Sequence, residues 1–312
     1  MSAPDASPSG ASPTEVHLPG VGARGVGPEQ AALLAWAAEA HRDLPWRRTR
    51  DPWAVLVSEA MLQQTQVARV VPKYHAFLDR FPTPAACAAA SQGEVVTHWA
   101  GLGYNRRAVQ LHRAATAIVT DHAGAVPETL AELLTLPGVG PYTARAVLAF
   151  AFEHDAAIVD TNVARVFARR AGRPLRPAEV QAAADAWLPA GAAWAWNQGM
   201  LDLGAGRCTP RNPGCATCPV NAGCAWATAG NPDPDPAVGS AGVSGGQSRF
   251  EGSDRQGRGR LVDALRRAPV DAADLAAIMG WPRDEARAGR VAAGLVAEGM
   301  VVLEDGRFSL AP

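Results

Sequence analysis

Four cysteines crowd into one short segment, and this spacing constrains the fold more than any other feature of the sequence. Cys208, Cys215, Cys218 and Cys224 follow the pattern Cys-x6-Cys-x2-Cys-x5-Cys within 17 residues, after an apolar helical stretch. A tight group of thiols in a reducing compartment is typical of a metal site rather than of disulfides. The segment is therefore predicted to fold as a loop around a metal group. The fifth cysteine, Cys87, lies in an alanine-rich run and is predicted to be buried.

The spacing leaves the nature of the metal group open. Four thiolates so close in sequence ligate either a zinc ion or a [4Fe–4S] cluster. A zinc ribbon usually has two Cys-x2-Cys knuckles, whereas this segment has one, between Cys215 and Cys218. The pattern favours the iron–sulfur cluster, and it does not indicate a redox role.

The chain divides by composition into four regions. Residues 1–27 and 228–250 are rich in Pro, Gly and small polar residues, and are predicted to be a flexible tail and an unpacked linker. Residues 28–227 show helical periodicity without strand alternation, which predicts an all-α core. Residues 251–312 form a small second domain. Within the core, helices are predicted from Pro28, over 53–67 (ending before Pro72), and near 106–120, 128–136, 143–152, 162–171, 178–188 and 193–203.

The last region has a different pattern. Three helical stretches near 259–267, 271–279 and 283–299 precede two short apolar runs joined by Asp305-Gly306. An Asp-Gly pair between such runs is a strong β-hairpin signal. Three helices and a hairpin predict a winged-helix-like domain.

Charge and targeting signals exclude several classes of protein. The hydrophobic content of 48% excludes a wholly disordered chain, and a net charge of -1 does not by itself indicate a nucleic-acid partner. No apolar run reaches the ~18 residues of a membrane span, and no basic and apolar leader begins the chain. The sequence predicts a cytoplasmic protein without a membrane partner, acting as a monomer.

A glycine-rich turn between two helical patterns supplies an anion site. The run Leu136–Thr143 reads LeuProGlyValGlyProTyrThr. Its backbone N–H groups at Gly138, Val139 and Gly140 are predicted to point outward, next to the positive N-terminus of the following helix. This arrangement suits a DNA phosphate and needs no lysine. An ordinary turn between helices is the alternative.

Two carboxylates have environments that push their pKa values apart. Glu59 has apolar neighbours such as Leu56 and Leu62, so burial is predicted to raise its pKa and to keep it as a general acid. Asp160 begins a helix, whose N-terminus favours the anion. Together they suggest an acid and a charge stabiliser. Taken alone, each residue has a simpler interpretation: Glu59 as a solvated helix residue, and Asp160 as a helix N-cap without a catalytic role.

These motifs, in this order, resemble those of the helix-hairpin-helix DNA glycosylase superfamily. The shared features are Glu59 in SerGluAlaMetLeuGlnGlnThrGlnVal, the hairpin run, Asp160 in ValAspThrAsnValAlaArgVal, and the cysteine loop. Over residues 28–227 the similarity is greatest to adenine DNA glycosylases of the MutY type. The resemblance implies removal of adenine mispaired with 8-oxoguanine or guanine in double-stranded DNA. It also implies a six-helix part at about 52–157 and an iron–sulfur part formed by 28–51 with 158–227.

The resemblance implies a role for each matching residue. Glu59 would protonate the flipped adenine, and Asp160 would stabilise the oxocarbenium-like sugar, with Tyr142 and Asn162 supporting that site. The four cysteines would ligate a [4Fe–4S] cluster. Contacts with the adenine pocket, the duplex or the opposite base are implied for Arg47, Gln63, Gln64 and Tyr104.

Other glycosylases and one other protein class remain as alternatives. Enzymes of the endonuclease III type need a nucleophilic lysine in the hairpin, where this chain has Tyr142, so lyase activity is not expected. A thymine glycosylase acting on T·G mismatches also carries tyrosine there, but the Gln63-Gln64 pair favours the adenine enzyme. An iron–sulfur DNA-binding regulator would not need Glu59 and Asp160 together.

The second domain departs from the family pattern. The family usually ends in a Nudix-like domain that reads 8-oxoguanine, and residues 251–312 are too few for one. One hypothesis is that the winged-helix-like domain contacts DNA through Arg283, Arg287 and Arg290. A domain that only packs against the core is the alternative.

Overall fold

The computed structural model describes residues 26–40, 42–241 and 249–312. Residues 1–25 of the expected tail and 242–248 of the expected linker lie outside the described residues. Within the described ranges, no helix has both the length and the apolar character that crossing a membrane requires. The described helices are α1 (Pro28–Ala40), α2 (Pro52–Leu62), α3 (Val67–Arg80), α4 (Pro84–Ala88), α5 (Gln92–His98), α6 (Arg106–Asp121), α7 (Leu130–Leu133), α8 (Pro141–Phe150), α9 (Thr161–Ala171), α10 (Pro177–Trp187), α11 (Ala193–Gly206), α12 (Ala225–Thr228), α13 (Asp254–Leu265), α14 (Leu275–Met279) and α15 (Glu285–Ala297).

The predicted all-α core is confirmed, with one correction that matters for the site. The helix expected over 53–67 ends at Leu62, and the chain turns before α3 begins at Val67. Gln64 has a φ of 54°, which no right-handed helix accommodates. Pro72 does not end a helix but lies inside α3, where the buried Tyr74 and its neighbours outweigh the hydrogen bond that proline cannot donate.

Two apolar clusters divide the core. The first contains side chains from α2 to α8, among them Phe77 and Trp99. The second joins α1, α9, α10 and α11 through residues such as Leu33, Phe167 and Trp196. Glu59 and the glycine hairpin belong to the first cluster, whereas the helix after Asp160 and the cysteine loop belong to the second. A site that uses both carboxylates must therefore lie where the clusters meet.

The second domain contains three helices and a small antiparallel sheet. Its strands are β1 (Val270–Asp271), β2 (Val301–Glu304) and β3 (Arg307–Leu310), in the order β1-β3-β2. The predicted hairpin is present, with Asp305 and Gly306 both at positive φ in the turn. Three helices with this sheet form the expected winged-helix-like domain.

The domain is docked on the core rather than tethered to it. The Gly93 amide donates to the Ala311 carbonyl at 2.8 Å. Arg266 donates to the Val96 carbonyl at 3.0 Å and to Asn105 at 2.9 Å. The buried residues of the domain belong to the same apolar cluster as α2 to α8, so the two parts share one core.

The expectation of an unpacked linker is wrong for residues 229–241. Asp235 forms an ion pair with Arg169 at 2.6 Å, and Ala237 is buried. The Ala241 amide donates to the Leu175 carbonyl at 2.8 Å. One well-placed carboxylate and small side chains allow this proline-rich segment to pack, although its composition is typical of a linker.

Candidate active site

Glu59 lies on α2 with 5% of its surface exposed. Burial raises the pKa of its carboxyl from 4.5 to about 7, because desolvation penalises the charged form. A hydrogen bond from the Tyr142 hydroxyl lowers the pKa, and the negative charge of Asp160 raises it. The balance leaves much of this carboxyl neutral near pH 7, in the state that a general acid requires.

Tyr142 connects the acid to the second carboxylate. It lies in the first turn of α8, directly after the glycine hairpin. Burial, and then the charges of Glu59 and Asp160, hold the pKa of its phenol well above 10. The hydroxyl therefore stays protonated and donates to Glu59. Three residues from separate sequence motifs thus meet at one place, at the boundary of the two apolar clusters.

Asp160 is the N-cap of α9, and both of its carboxylate oxygens have partners. Oδ1 accepts from the Val163 amide at 2.7 Å, and Oδ2 accepts from Nδ2 of Asn162 at 2.8 Å. The helix N-terminus stabilises the negative charge, and the two hydrogen bonds fix the plane of the carboxylate. The oriented carboxyl of Asp160 thus lies within electrostatic reach of the buried carboxyl of Glu59.

Arg165 continues this network to the cysteine loop. Its Nη2 donates to Oδ1 of Asn162 at 2.8 Å and to the Gly204 carbonyl at 2.7 Å, and its Nε donates to the Cys208 carbonyl at 2.6 Å. Since Oδ1 of Asn162 accepts from Arg165, its Nδ2 is left to donate to Asp160. A Cβ on Gly204 would stand 2.7 Å from that of Asn162, so this approach requires glycine. The sequence reasoning missed Arg165, although its position three residues after Asn162 places both on one helix face.

The four cysteines surround a small cavity beneath α9. Arg169 donates from Nη1 to the Cys208 sulfur at 3.3 Å, and the Cys224 sulfur lies 3.5 Å from the Arg169 carbonyl oxygen. Burial raises the pKa of Cys218, a hydrogen bond with the Val220 backbone lowers it, and the charges of the other three sulfurs raise it again, so that the pKa lies above its usual value. In the part of the chain that the structure describes, no three His, Cys, Asp or Glu side chains converge closely enough to hold a single metal ion. Cys87 lies elsewhere, fully buried in α4 as predicted.

The hairpin between α7 and α8 contains the tight glycine turn that the sequence suggested. Gly138 has a φ of 78°, and a Cβ there would stand 2.6 Å from the Cβ of Gln110, so only glycine fits. Gly140 is the N-cap residue of α8, so no side chain of the N-cap pairs with the first backbone amides of this helix. Gly138 and Val139 line a cavity of about 960 Å³. The Val139 amide donates to the Leu136 carbonyl at 3.1 Å, so the prediction that it points outward is wrong, because this tight turn closes on its own backbone. A phosphate site at Gly138 and Gly140 stays a prediction.

The residues expected to contact the duplex line the same cavity. Gln63, Gln64 and Tyr104 all border it, together with Leu56 and Ala60 from the helix of Glu59. Gln64 and Tyr104 have φ values of 54° and 45°. Positive φ at residues other than glycine costs energy and persists where the surrounding structure enforces it, often at functional sites.

Arg107 enforces this geometry and was not found by sequence reasoning. Its guanidinium lies between the 63–66 turn and the 101–104 loop and ties them together. In the sequence, the only sign of this role is that Arg107 lies one helical turn after Tyr104. A surface arginine without a structural role could occupy the same position. It donates to the carbonyls of Ala60, Met61, Gln63, Leu102 and Gly103 and to the Thr65 hydroxyl, at 2.7 to 3.2 Å.

Two arginines considered at the sequence level have structural partners. Arg47 is buried and donates from both Nη atoms to Asp202, at 2.7 and 2.9 Å. It fixes the turn before α2 to α11, and a contact with adenine stays a prediction. Arg287 donates to Asp254 at 2.7 Å and stacks over Trp281 at 4.0 Å. These contacts hold the second domain together, and a contact of Arg287 with DNA stays a hypothesis.

Comparison with known proteins identifies the family. Residues 57–190 match the HhH-GPD superfamily of base excision DNA repair proteins. The chain is 45% identical over 291 residues to an adenine DNA glycosylase of Mycobacterium tuberculosis, covering 89% of this chain and 92% of that protein. The chain belongs to the adenine DNA glycosylase family. Another adenine DNA glycosylase, from Homo sapiens, is 40% identical over 212 residues, which span 62% of this chain and 38% of the human protein.

Solved structures support the fold of this adenine DNA glycosylase family member. A thermostable thymine-DNA glycosylase superposes with a TM-score of 0.60 at 31% identity, covering 64% of this chain and 94% of that one. A trapped endonuclease III–DNA covalent intermediate gives a TM-score of 0.57 at 25% identity, covering 64% and 93%. The helix-hairpin-helix fold and the resemblance to adenine DNA glycosylases are confirmed.

Proposed function

We propose that the chain hydrolyses the N-glycosidic bond of adenine mispaired with 8-oxoguanine or guanine in double-stranded DNA. One observation carries this proposal. Glu59, with a pKa of about 7, accepts a hydrogen bond from Tyr142 within electrostatic reach of Asp160. Glu59, Tyr142 and Asp160 all belong to one chain, which supports a monomeric enzyme.

The reaction assigns a different task to each carboxyl. The adenine leaves the duplex by flipping, at a cost that a mismatch reduces. Neutral Glu59 donates its proton to the base, so that the bond electrons leave with a neutral adenine. Asp160, oriented by Asn162, faces the positive charge that develops on the sugar, where an anion stabilises the transition state most. Water then adds to the sugar and its released proton returns to the Glu59 carboxylate, which completes the hydrolysis and restores the acid.

The hairpin supports a glycosylase without lyase activity. A β-lyase of this fold needs an amine that forms a Schiff base with the sugar. The chain has a single lysine, Lys73, which lies on α3, whereas the hairpin has Tyr142. Borohydride should therefore trap no covalent complex with DNA during turnover. A trapped species that disappears in Lys73→Arg would contradict this assignment.

The cysteine loop fits a [4Fe–4S] cluster. Its donors are four thiols, the soft ligands that iron–sulfur clusters use, and all four line one small cavity. When bound, the cluster would cross-link the loop to itself. Arg165 and Arg169 then hold that loop against α9, whose first residues position Asp160. A brown protein containing iron and sulfide supports this proposal, and a colourless zinc protein would overturn it.

A base-release assay tests the proposed function. The substrate is a duplex with one A·8-oxoguanine pair, and release of free adenine is measured for the wild type, Glu59→Gln and Asp160→Asn. Both variants are expected to bind the duplex but to lose nearly all release. Glu39→Gln and Asp79→Asn change exposed carboxyls far from the site and serve as matched controls. Retained turnover in Glu59→Gln or Asp160→Asn would refute the role of that residue.

Thymine removal from T·G mismatches is the second candidate. The superposed thymine-DNA glycosylase is 31% identical over the core, which favours testing it. The same assay with a T·G duplex separates the two candidates, and no thymine release is expected. A DNA-binding regulator is disfavoured because binding alone has no use for a buried acid beside an oriented carboxylate.

A further inference from the structure

The chain reaches Asp160 through a segment, residues 155–159, that lies in neither a helix nor a strand. Ala156, Ala157 and Ile158 of this segment are nonetheless buried. A buried backbone needs hydrogen-bond partners, and an extended chain usually finds them on a neighbouring strand. Here side chains from three helices take the place of that strand, so tertiary contacts hold the segment that leads to Asp160.

Asn197, on α11, binds this segment with its whole side-chain amide and is 2% exposed. Its Oδ1 accepts from the Ile158 amide at 2.8 Å, and its Nδ2 donates to the Ala156 carbonyl at 2.9 Å. The second proton of Nδ2 is donated to the Ala193 carbonyl of the same helix at 2.8 Å. Because a backbone N–H only donates and a carbonyl only accepts, these partners fix the orientation of the amide and use both protons of its nitrogen.

The Ala157 carbonyl is bound by a second group of side chains. It accepts from Nη1 of Arg145 on α8 at 3.3 Å and from Nε2 of Gln181 on α10 at 3.1 Å. Asp185 accepts from both of these side chains and holds them together. Three consecutive residues of the segment are thus bound by side chains of α8, α10 and α11.

Helix α11 also supports the chain after Asp160. Gly204 lies two turns beyond Asn197, on the same face of the helix, and packs closely against Asn162. The Gly204 carbonyl accepts from Arg165, and Asn162 donates to Asp160. Asp160 itself has an extended backbone, with φ -100° and ψ -175°. The direction of its carboxylate therefore depends on where α11 places the chain on both sides of it.

Resting on the proposed adenine glycosylase function, we propose that Asn197 is a positioning residue for the transition state of this reaction. By fixing the backbone of residues 156–158, it places the Asp160 carboxylate against the positive charge that develops on the sugar. Asn197 acts through this backbone and not on the substrate itself. The placement matters because a displacement of about 1 Å can slow a reaction by on the order of 100-fold.

A cationic mimic of the sugar tests this placement. Duplexes carry either a pyrrolidine ring, which is a cationic amine, or a neutral tetrahydrofuran ring in place of the sugar opposite 8-oxoguanine, and both dissociation constants are measured for the full chain. The wild type should prefer the cationic ring, and Asp160→Asn should lose that preference. Asn197→Ala is expected to reduce the preference by roughly tenfold and to slow adenine release by on the order of 100-fold. Its affinity for the neutral ring should change little.

Gln92→Ala is the matched control. Gln92 is also a buried side-chain amide, and it donates to the Gly299 carbonyl of the second domain. Its removal leaves a backbone oxygen without that donor but leaves residues 156–158 unchanged. The variant should therefore keep the wild-type preference for the cationic ring, even if its stability falls. A purely structural role of Asn197 would weaken binding of both rings equally.

A double variant, Arg145→Ala with Gln181→Ala, reaches the segment from partly buried side chains. It removes both donors to the Ala157 carbonyl and should lower the preference in the same direction. An unchanged preference in Asn197→Ala, or in the double variant if Asn197→Ala does not fold, would overturn the proposal. Failure of the proposed function is a different result, because the wild type would then release no adenine and would prefer neither ring.

Discussion

The Glu59 carboxyl illustrates how burial at a single residue produces chemistry. A solvated glutamate would carry no proton near neutral pH, whereas α2 carries this one into apolar surroundings. The same burial that prepares the acid destabilises the folded chain once the carboxyl ionises. Two measurable consequences follow at this scale, one for stability and one for the pH dependence of the reaction.

Glu59→Gln should stabilise the protein at alkaline pH. Between pH 4.5 and about 7, the folded chain holds a proton on Glu59 that the unfolded chain has lost. The stability contributed by this group is therefore complete below pH 4.5 and is lost as pH rises through 7. Glutamine never ionises, so the variant should be more stable by about 3 kcal/mol at pH 8 and equal to wild type at pH 4. Denaturant unfolding at both pH values measures this, with Glu39→Gln as control. The prediction would be contradicted if the free energies of unfolding of Glu59→Gln and wild type differed by the same amount at both pH values.

Tyr142→Phe should shift the pH profile of adenine release. The hydroxyl of Tyr142 donates to Glu59 and lowers the pKa of that carboxyl. Its removal leaves burial and Asp160, which both raise the pKa. The falling limb of the rate profile, which follows loss of the Glu59 proton, is expected to move to higher pH. Single-turnover rates from pH 5 to 9 provide the measurement, and an unmoved limb would show that Tyr142 does not tune the acid.

At the scale of elements, buried arginines hold loops that have no regular structure of their own. Arg107 ties the 63–66 turn to the 101–104 loop, and Arg165 ties α9 to the cysteine loop. Burial lowers the pKa of Arg107 to about 10, so it stays charged at neutral pH. Charged donors to backbone oxygens are stronger than neutral ones, which suits them to this role.

Arg107→Met should loosen both loops. The variant leaves the oxygens that Arg107 binds without their donor, and the expected loss of stability is about 3 kcal/mol. Hydrogen exchange of amides in 63–66 and 101–104 should accelerate, and adenine release should slow because the duplex-facing residues lose their positions. Arg106→Met alters the exposed neighbouring arginine and should leave the stability unchanged. If these amides exchanged at the wild-type rate in Arg107→Met, Arg107 would not be what holds the two loops.

At the scale of the whole molecule, the second domain extends the core. Its buried residues join the cluster formed by α2 to α8, and its last residues bind the start of α5. Since α13 forms one wall of the cavity, the domain decides the shape of the proposed DNA-binding face. We propose a boundary near residue 250, with the core itself made of a 52–157 part and a part formed by 28–51 with 158–227. The two apolar clusters support this division.

Gly93→Ala tests the docking. A Cβ on Gly93 would stand 2.9 Å from the Ala311 carbonyl oxygen and from the Cβ of Leu310. The contact should open, which lowers the midpoint of thermal unfolding and makes the second domain accessible to protease. Gly289→Ala is the matched control, because that helical glycine has open space around it and alanine should stabilise its helix by up to ~1 kcal/mol. Equal unfolding midpoints and equal protease sensitivity in the two variants would contradict the proposed contact.

Interactions between close neighbours in sequence made much of this protein predictable. The helix expected over 106–120 is found at Arg106–Asp121, and the predicted hairpin turns at Asp305-Gly306. The glycines of the 136–143 run and the apolar neighbours of Glu59 also act locally. These features follow from periodicity, turn chemistry and capping, which operate within a few residues.

Tertiary contacts decided the rest. The pKa of Glu59 depends on Tyr142 and Asp160, which approach it only when the two apolar clusters meet. The turn at 63–66 needs Arg107 to hold it, and the packed segment 229–241 needs Arg169. The sequence by itself determined the family and most of the helices, and it predicted the side chains of the proposed active site. Only the tertiary structure decided their protonation, their partners and the position of the second domain, because burial and charge act between residues that are distant along the chain.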